Sequence, residues 1–371
     1  MKSERLEVID LFKACACVLI VWHHLALYSP MSFVMAEWLP LIEVFLLNYA
    51  LMAVQIFLVV SGYLNAKSWA HAVPQSAFDF FLRILLRYQR LAIPLLAALS
   101  VTVAITALVR PYFNHSSLSN SPSLMQVPAH IFLLQDILDL EAFSAGVWYV
   151  AIDFQLFAMA MVCASLAQTW QVISGKGSVV RKAFGFWVIL TLCSIFVWNL
   201  NPLGEMWGPY FFGAYGLGLC IGAWRYTDIK LSTKNLGLLI LFCGLVAIAY
   251  QPRARLLVAI ATATLLCWYE ANDCKAIQCL QLKWICELSN ASYAIFLIHF
   301  SISLLVSAVV FNFWPEDQTV NAIGLWVSFG LSVWVGRFIH LYIETPKPTW
   351  TRWLKWVTTF VATCMGIMLF G

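Results

Sequence analysis

The sequence predicts an all-α, polytopic membrane protein with about ten to eleven transmembrane helices and a cytoplasmic N-terminus. Of its 371 residues, 62% are hydrophobic and only 11% are charged, whereas a soluble domain carries about 25% charged residues. The mean hydropathy is +0.82. Apolar runs of about 17 residues or more, long enough to cross a bilayer, recur along the whole chain.

The predicted spans follow these apolar runs in chain order. They are residues 8–28, 43–65, 91–109, 147–168, 184–200, 207–225, 235–250, 255–270, 291–313, 320–342 and 354–370. The first run is too long for a signal peptide and lacks a small-residue cleavage site, so we expect it to remain as a start-transfer helix. We expect residues 130–140 to form an external surface segment.

The basic residues set the expected orientation, because cytoplasmic loops hold an excess of lysine and arginine. With the N-terminus inside, Arg110, Arg253 and Arg255 fall outside and Arg337 lies within a helix. The rest of the 22 lysines and arginines lie on or near the cytoplasmic side. This topology explains the net charge of +4, which therefore gives no argument for nucleic-acid binding.

The cysteines do not predict a metal site. Most of the 11 cysteines lie within predicted helices, where cysteine behaves as a small hydrophobe. Cys274, Cys279 and Cys286 form a C-x4-C-x6-C series on a predicted cytoplasmic loop. This spacing lacks the close pairs of a zinc site, so we expect reduced thiols and no bound metal.

The first predicted helix carries titratable groups at membrane depth. Lys13 and His24 are separated by three turns plus about 20°, or about 16 Å along the axis, and so share one face, whereas His23 points about 100° away. Asp10, one turn before Lys13, can pair with it. A histidine at this depth is a candidate functional residue. The alternative is that Lys13 snorkels to the interface and His24 only bonds a neighbouring helix.

Six segments together resemble the acyltransferase 3 family of membrane acyltransferases. The segment DLFKACACVLIVWHH has the family's Asp and its basic residue eleven positions before a His, at Asp10, Lys13 and His24. The other segments are VQIFLVVSGYL (54–64, with Phe57, Ser61 and Gly62), FLRILLRYQRLAIP (81–94), GVWYVAIDFQLF (146–157), SNASYAIFLIHFSI (289–302) and IETP (343–346). Lys13 replaces the family's usual Arg and lacks its bidentate fork.

The resemblance implies an enzyme of class EC 2.3.1.-. Such an enzyme moves an acyl group, acetyl by default, from cytoplasmic acyl-CoA to a hydroxyl of an extracytoplasmic glycan such as an exopolysaccharide or O-antigen. It implies a bacterial inner membrane, an acyl-CoA donor, a glycan or lipid-linked saccharide acceptor, and no tightly bound cofactor. Because the resemblance covers residues 5–350, we expect an acyltransferase domain over 1–350 and an additional transmembrane helix over 351–371.

Three residues are the candidate catalytic groups. We expect His24 to act as general base, because neutral imidazole suits proton abstraction at physiological pH. Asp153 is expected to pair with His24 and fix its tautomer. His299, about 13 Å into its helix, would orient the thioester or serve as a second acid. The alternatives are a hydrogen bond from Asp153 to a neighbouring helix and a packing role for His299.

The candidate binding residues for acyl-CoA begin with a row of arginines. Arg83, Arg87 and Arg90 have spacings of four and three, which place them along one helical face. Such a row can hold the phosphates of coenzyme A, or anchor the helix at anionic lipid. Lys13 and Ser61 are the other candidates on the donor side.

The remaining predictions concern a sugar, helix packing and an ion pair. Trp148 and Tyr149 lie at the expected outer interface, where they would stack on a sugar ring or belong to an aromatic belt. Gly62 beside Ser61 favours close helix packing over nucleophilic catalysis. Arg337 and Glu344, seven residues apart, are expected to form a structural ion pair.

Two other functions remain open from the sequence. A transporter or flippase would use Lys13, Glu43, Asp153 and His24 as a proton relay, although no repeat of the kind found in many transporters is visible. The third possibility is an acyltransferase fold that has lost activity and acts as a binding partner.

Overall fold

The structure is a computed structural model that describes residues 7–70, 76–175, 178–225, 232–272 and 283–370. These residues are mainly helical, and they contain no β-strand. The α-helices in chain order are α1 Glu7–Tyr28, α2 Pro30–Ala36, α3 Pro40–Asn48, α4 Val54–Ala70, α5 Ala77–Val109, α6 Gln126–Ile131, α7 Val147–Ser174, α8 Val179–Phe196, α9 Gly208–Arg225, α10 Thr233–Tyr250, α11 Ala254–Asn272, α12 Lys283–Phe313, α13 Gln318–Ile339 and α14 Trp350–Phe370.

Each predicted span overlaps one of these helices, except 43–65, which overlaps both α3 and α4. Not every one of the helices has the length and hydropathy of a membrane span. Within the described ranges, 8 helices do, or 9 if the bent pair α3–α4 counts as one span. Neither α9 nor α10 is among them. The prediction of an all-α, polytopic membrane protein is confirmed. The number of spans and the side of the N-terminus stay predictions.

The predicted span 43–65 is bent rather than continuous. Helix α3 ends at Asn48, a 3₁₀ turn covers Ala50–Ala53, and α4 starts at Val54. The helices on either side of the break differ in direction by 44°. The Asn48 side chain donates a hydrogen bond to the Val44 carbonyl at 2.9 Å, so it binds a backbone carbonyl in the last turn of α3.

The segment expected at the external surface, 130–140, is partly buried. His130, Ile131, Leu133 and Gln135 are all buried. The Tyr88 hydroxyl of α5 donates a hydrogen bond to the Ile131 carbonyl at 2.6 Å. Phe132, Leu134 and Leu138 are exposed, so the segment has one buried and one exposed side. That it lies on the external surface stays a prediction.

The chain divides into two compact units. The first comprises Met1–Lys13, Met52–Arg87 and Ile152–Lys283. The second comprises Ala14–Leu51, Tyr88–Ala151 and Trp284–Gly371.

Backbone contact between α4 and α9 organises the first unit. A Cβ added to Gly62 would lie 1.9 Å from the Tyr215 carbonyl oxygen, and one added to Gly218 would lie 1.8 Å from that of Val59. Only glycine permits such an approach, as is common where helices associate in membranes. The structure therefore gives Gly62 the packing role that the sequence favoured.

Helix α12 is the most buried of the candidate spans among the described residues. Hydrogen bonds tie it to its neighbours: Thr102 Oγ1 lies 2.6 Å from Ser301 Oγ, and the Tyr293 hydroxyl donates to the Leu91 carbonyl at 2.9 Å. Satisfied polar contacts of this kind join membrane helices. They join α12, which carries His299, to α5.

Candidate active site

Two of the three candidate catalytic residues meet inside the second unit. His24 of α1 and His299 of α12 are both buried. His24 Nδ1 lies 2.7 Å from His299 Nε2, and the two ring planes differ by only 9°. The two histidines are 275 residues apart in sequence, and α1 and α12 bring their imidazoles into direct hydrogen-bond contact.

The surrounding backbone assigns the protons of this histidine pair. His299 Nδ1 lies 2.6 Å from the Phe296 carbonyl oxygen. A carbonyl oxygen only accepts, so His299 Nδ1 carries the proton and donates it. In neutral His299, Nε2 then has a free lone pair, to which His24 Nδ1–H donates. This leaves the lone pair on His24 Nε2 for a substrate.

Aromatic rings enclose the pair. The His24 ring centroid lies 5.7 Å from that of Tyr28 and 6.5 Å from that of Phe296. The Tyr149 ring meets Phe296 edge-on at 5.4 Å, so the structure brings one predicted sugar-binding residue to this wall. The Trp148 ring centroid lies 6.3 Å from that of Tyr149.

Sequence reasoning missed the role of Phe296 and of Gly146. A Cβ on Gly146 would lie 2.7 Å from Phe296 Cζ, so the glycine lets this ring occupy its place beside the histidines. Both residues lie within segments that resemble the family. Nothing in either segment alone indicates that the two touch.

The neighbouring His23 has a different environment from His24. It is also buried, but its Nδ1–H donates to the Leu46 carbonyl of α3 at 2.8 Å. Its ring centroid lies 5.2 Å from that of His24. His23 therefore joins α1 to α3.

Asp153 is the centre of a polar cluster in the first unit. It is buried on α7 and accepts a hydrogen bond from Ser61 Oγ of α4 at 2.7 Å. Arg87 Nη2 of α5 forms an ion pair with its other carboxylate oxygen. The Arg87 guanidinium also lies over the Phe157 ring, 5.3 Å from its centroid. Pairing and hydrogen bonding of this kind compensate for burying a charge.

The three arginines on the predicted donor-binding face have different surroundings. Arg87 pairs with Asp153, and Arg83 pairs with Asp79 at 2.9 Å on its own helix. Arg90 is exposed. A carboxylate partner offsets the charge that an arginine offers to a phosphate. Of the three arginines, Arg90 is therefore the one best suited to bind a phosphate. Their binding of acyl-CoA stays a prediction.

Two other predicted contacts stay predictions. Asp153 has its partners in the first unit and His24 has His299 in the second, and the predicted Asp153–His24 pair stays a prediction. Lys13 and Asp10 lie one turn apart on α1, and their predicted pairing stays one as well.

The predicted ion pair between Arg337 and Glu344 is wrong. Arg337 pairs with Glu287 at 3.1 Å, and Glu344 accepts from His340 at 2.9 Å. Residues His340–Glu344 form a π-helical turn. This turn changes the register on which a seven-residue spacing depends.

No metal site appears in the part of the chain that the structure describes, where no group of three His, Cys, Asp or Glu could hold an ion. Cys274 and Cys279 lie outside the described residues, so the expected absence of a metal stays a prediction.

Comparison with known families gives one match. A family model described as an acyltransferase domain matches residues 6–371, essentially the whole chain. The match continues through α14, which the sequence set apart as an additional helix; the division at residue 350 stays a prediction. Comparison with curated proteins and with solved structures found no match.

Proposed function

The chain belongs to the acyltransferase 3 family, and we propose that it is a membrane O-acyltransferase of the bacterial inner membrane. It moves an acyl group, acetyl by default, from cytoplasmic acyl-CoA to a hydroxyl of an extracytoplasmic glycan. The observation that carries this proposal is the hydrogen bond between His24 and His299. That bond presents an imidazole lone pair inside a buried, aromatic-walled site.

The first step is deprotonation of the acceptor. His24 Nε2 takes the proton of the sugar hydroxyl while its oxygen attacks the thioester carbonyl carbon. The imidazolium that forms keeps donating through Nδ1–H to His299 Nε2. His299 thus holds the orientation that a carboxylate provides in a Ser-His-Asp triad, but without a negative charge.

The second step completes the transfer. The tetrahedral intermediate collapses, the carbon–sulfur bond breaks, and the coenzyme A thiolate leaves and takes the proton from His24 Nε2. The new ester stays on the sugar oxygen, and His24 returns to its neutral form. The rings of Tyr28 and Phe296 around His24 limit water at the site, which disfavours hydrolysis of the thioester.

We assign the binding residues by the exposure and pairing of their side chains. Arg90, which is exposed, contacts the coenzyme A phosphates, with Arg83 and Lys13 as further cationic groups. Arg87 holds Asp153, which in turn accepts from Ser61. Tyr149 and Trp148 form the side of the site where a sugar ring stacks.

Two experiments test the function. The masses of surface glycans from cells with and without this gene should differ by the acyl group. Purified protein in detergent should transfer from acetyl-CoA without any ion gradient. Family membership does not support the transporter or flippase alternative, which would require a gradient. Glycans of identical mass and no transfer from acetyl-CoA would contradict the proposal.

A further inference from the structure

An apolar groove of about 300 Å³ lies within the second unit, between α1, α2, α3 and α13. Trp22, Leu25, Leu46 and Trp326 are among the residues that line it. Ligand sites are typically concave and apolar with a few polar groups, in the range of about 300–1,000 Å³. This groove has the volume and the composition of a small site of that kind.

Helix α3 turns one face toward this groove. Ile42, Glu43 and Leu46 all line it, and they fall within an arc of about 100° on the helix. No residue of α3 is buried by the protein. The face of α3 that points at α1 and α13 is therefore open, and in a bilayer it must be covered by hydrocarbon.

Glu43 indicates which kind of hydrocarbon molecule fits. Glu43 is one of the residues that line this largely apolar groove, and no hydrogen bond joins its carboxyl group to any of the residues that the structure describes. The one hydroxyl side chain among the lining residues, Ser32, is already engaged, because its Oγ lies 2.8 and 2.7 Å from the carbonyl oxygens of Ala26 and Ser29, which share its one proton. A carboxyl group at membrane depth requires a partner, which the occupant of the groove must bring.

The groove also lies next to the histidines. Leu46 lines the groove, and its carbonyl accepts from His23 at 2.8 Å. The His23 ring lies 5.2 Å from that of His24, and Leu25, which follows His24 in sequence, is a further lining residue. The groove and His24 thus share a neighbour in His23.

We propose that this groove is a lipid-binding site. It takes one hydrocarbon chain of a lipid whose head group carries a hydroxyl, and that hydroxyl donates a hydrogen bond to Glu43. The apolar lining selects the chain, and Glu43 selects the head group. The proposal goes beyond the acyl transfer proposed above and does not depend on it.

The test is photo-crosslinking of the purified full-length protein with a long-chain alcohol that carries a diazirine in its chain. Crosslinked peptides should come from α1, α3 and α13. Ala322 lines the groove, so Ala322→Phe should fill it and reduce crosslinking about tenfold. The neighbouring Ile323 is 57% exposed and does not line the groove, so Ile323→Phe is the matched control and should leave crosslinking unchanged.

The head-group half of the proposal has its own test. Glu43→Leu should reduce crosslinking of the alcohol about fivefold but leave crosslinking of its methyl ether, which cannot donate, unchanged. Equal loss for both probes would contradict the role of Glu43.

Ordinary bilayer lipid predicts a different result. Crosslinks of equal yield in Ala322→Phe and the unmodified protein, spread over lipid-facing α14 as much as over α3, would overturn the lipid-binding site. If Ala322→Phe fails to accumulate, Ala36→Phe, at another lining position, makes the same comparison. Specific crosslinking in a protein that transfers no acyl group would support the groove and contradict only the enzymatic proposal.

Discussion

At the residue scale, the histidine pair is the feature from which the chemistry follows. One backbone carbonyl, that of Phe296, orients His299, and His299 orients His24. The imidazole of His299 thus stands where a Ser-His-Asp triad has its carboxylate. His299 is therefore expected to act through His24, as a positioning residue.

This role can be separated from simple packing. His299→Leu should lower kcat about 100-fold while the KM for acyl-CoA changes little, because the orientation of the base is lost and donor binding is not. His299→Gln should recover part of kcat, since an amide oxygen can accept from His24 Nδ1–H. Steady-state kinetics of both variants make the measurement. Equal rates for Leu and Gln would mean that His299 only fills space.

The Arg87–Asp153 pair makes a prediction about stability. Asp153→Asn leaves the Arg87 charge without its counter-charge and should lower the free energy of unfolding by about 3–5 kcal/mol. The double variant Arg87→Met with Asp153→Leu should lose less, because no charge remains buried. Denaturant unfolding in detergent compares them. A double variant less stable than Asp153→Asn alone would contradict a compensated ion pair.

At the element scale, the packing of α4 on α9 depends on the absence of a side chain at Gly62. Gly62→Ala should destabilise the protein by about 1–3 kcal/mol, because the new methyl group meets the Tyr215 backbone. Gly185 on α8 has nothing within 4 Å of its added Cβ. Gly185→Ala is thus the control, and it should stabilise by about 0.5–1 kcal/mol. Thermal unfolding should show opposite signs for the two.

The segment around α6 predicts a dependence on pH. Burial lowers the pKa of His130 from 6.5 to about 4, and its Nδ1–H donates to the Gln126 carbonyl at 2.8 Å. The folded protein then binds fewer protons than the unfolded chain between these values. Stability should fall as pH drops from 6.5 toward 4, by up to about 3 kcal/mol from this residue.

The variant His130→Gln isolates that contribution, because an amide can also donate to Gln126 and accept from Phe143 N–H, which bonds His130 Nε2 at 3.2 Å. Unfolding measured at several pH values should be flatter for the variant. Curves of the same slope for both proteins would contradict the buried neutral imidazole.

Sequence patterns predicted the positions of the helices more accurately than they predicted the contacts between residues. Each apolar run that predicted a span overlaps a helix or, for 43–65, a pair of helices, because length and hydropathy are local properties. The break after Asn48 and the burial of His130 depend on distant packing, which those runs do not record. In the same way, the sequence singled out both Arg87 and Asp153, but not that they pair with each other.

At the scale of the whole molecule, the open question is how many times the chain crosses the membrane. Omitting α9 and α10 from the predicted spans removes two crossings and leaves the side of the C-terminus unchanged. If the bent pair α3–α4 does not cross the membrane once, the number of crossings becomes even and the C-terminus lies on the cytoplasmic side. With a cytoplasmic N-terminus, a reporter fused after Gly371 should read as extracytoplasmic. A cytoplasmic signal would indicate that the bent pair is not a full span, or that another span is wrong.

The central claim is that His24, and not its neighbour His23, is the base for acyl transfer. Both histidines are buried on α1, but His24 bonds His299 and His23 bonds a backbone carbonyl of α3. The decisive measurement is the acyl content of surface glycans, by mass, from cells producing His24→Gln or His23→Gln at equal levels. We expect His24→Gln to lower transfer by about 10²–10⁴-fold and His23→Gln to retain most of it. Normal acylation with His24→Gln, or its loss only with His23→Gln, would contradict the account.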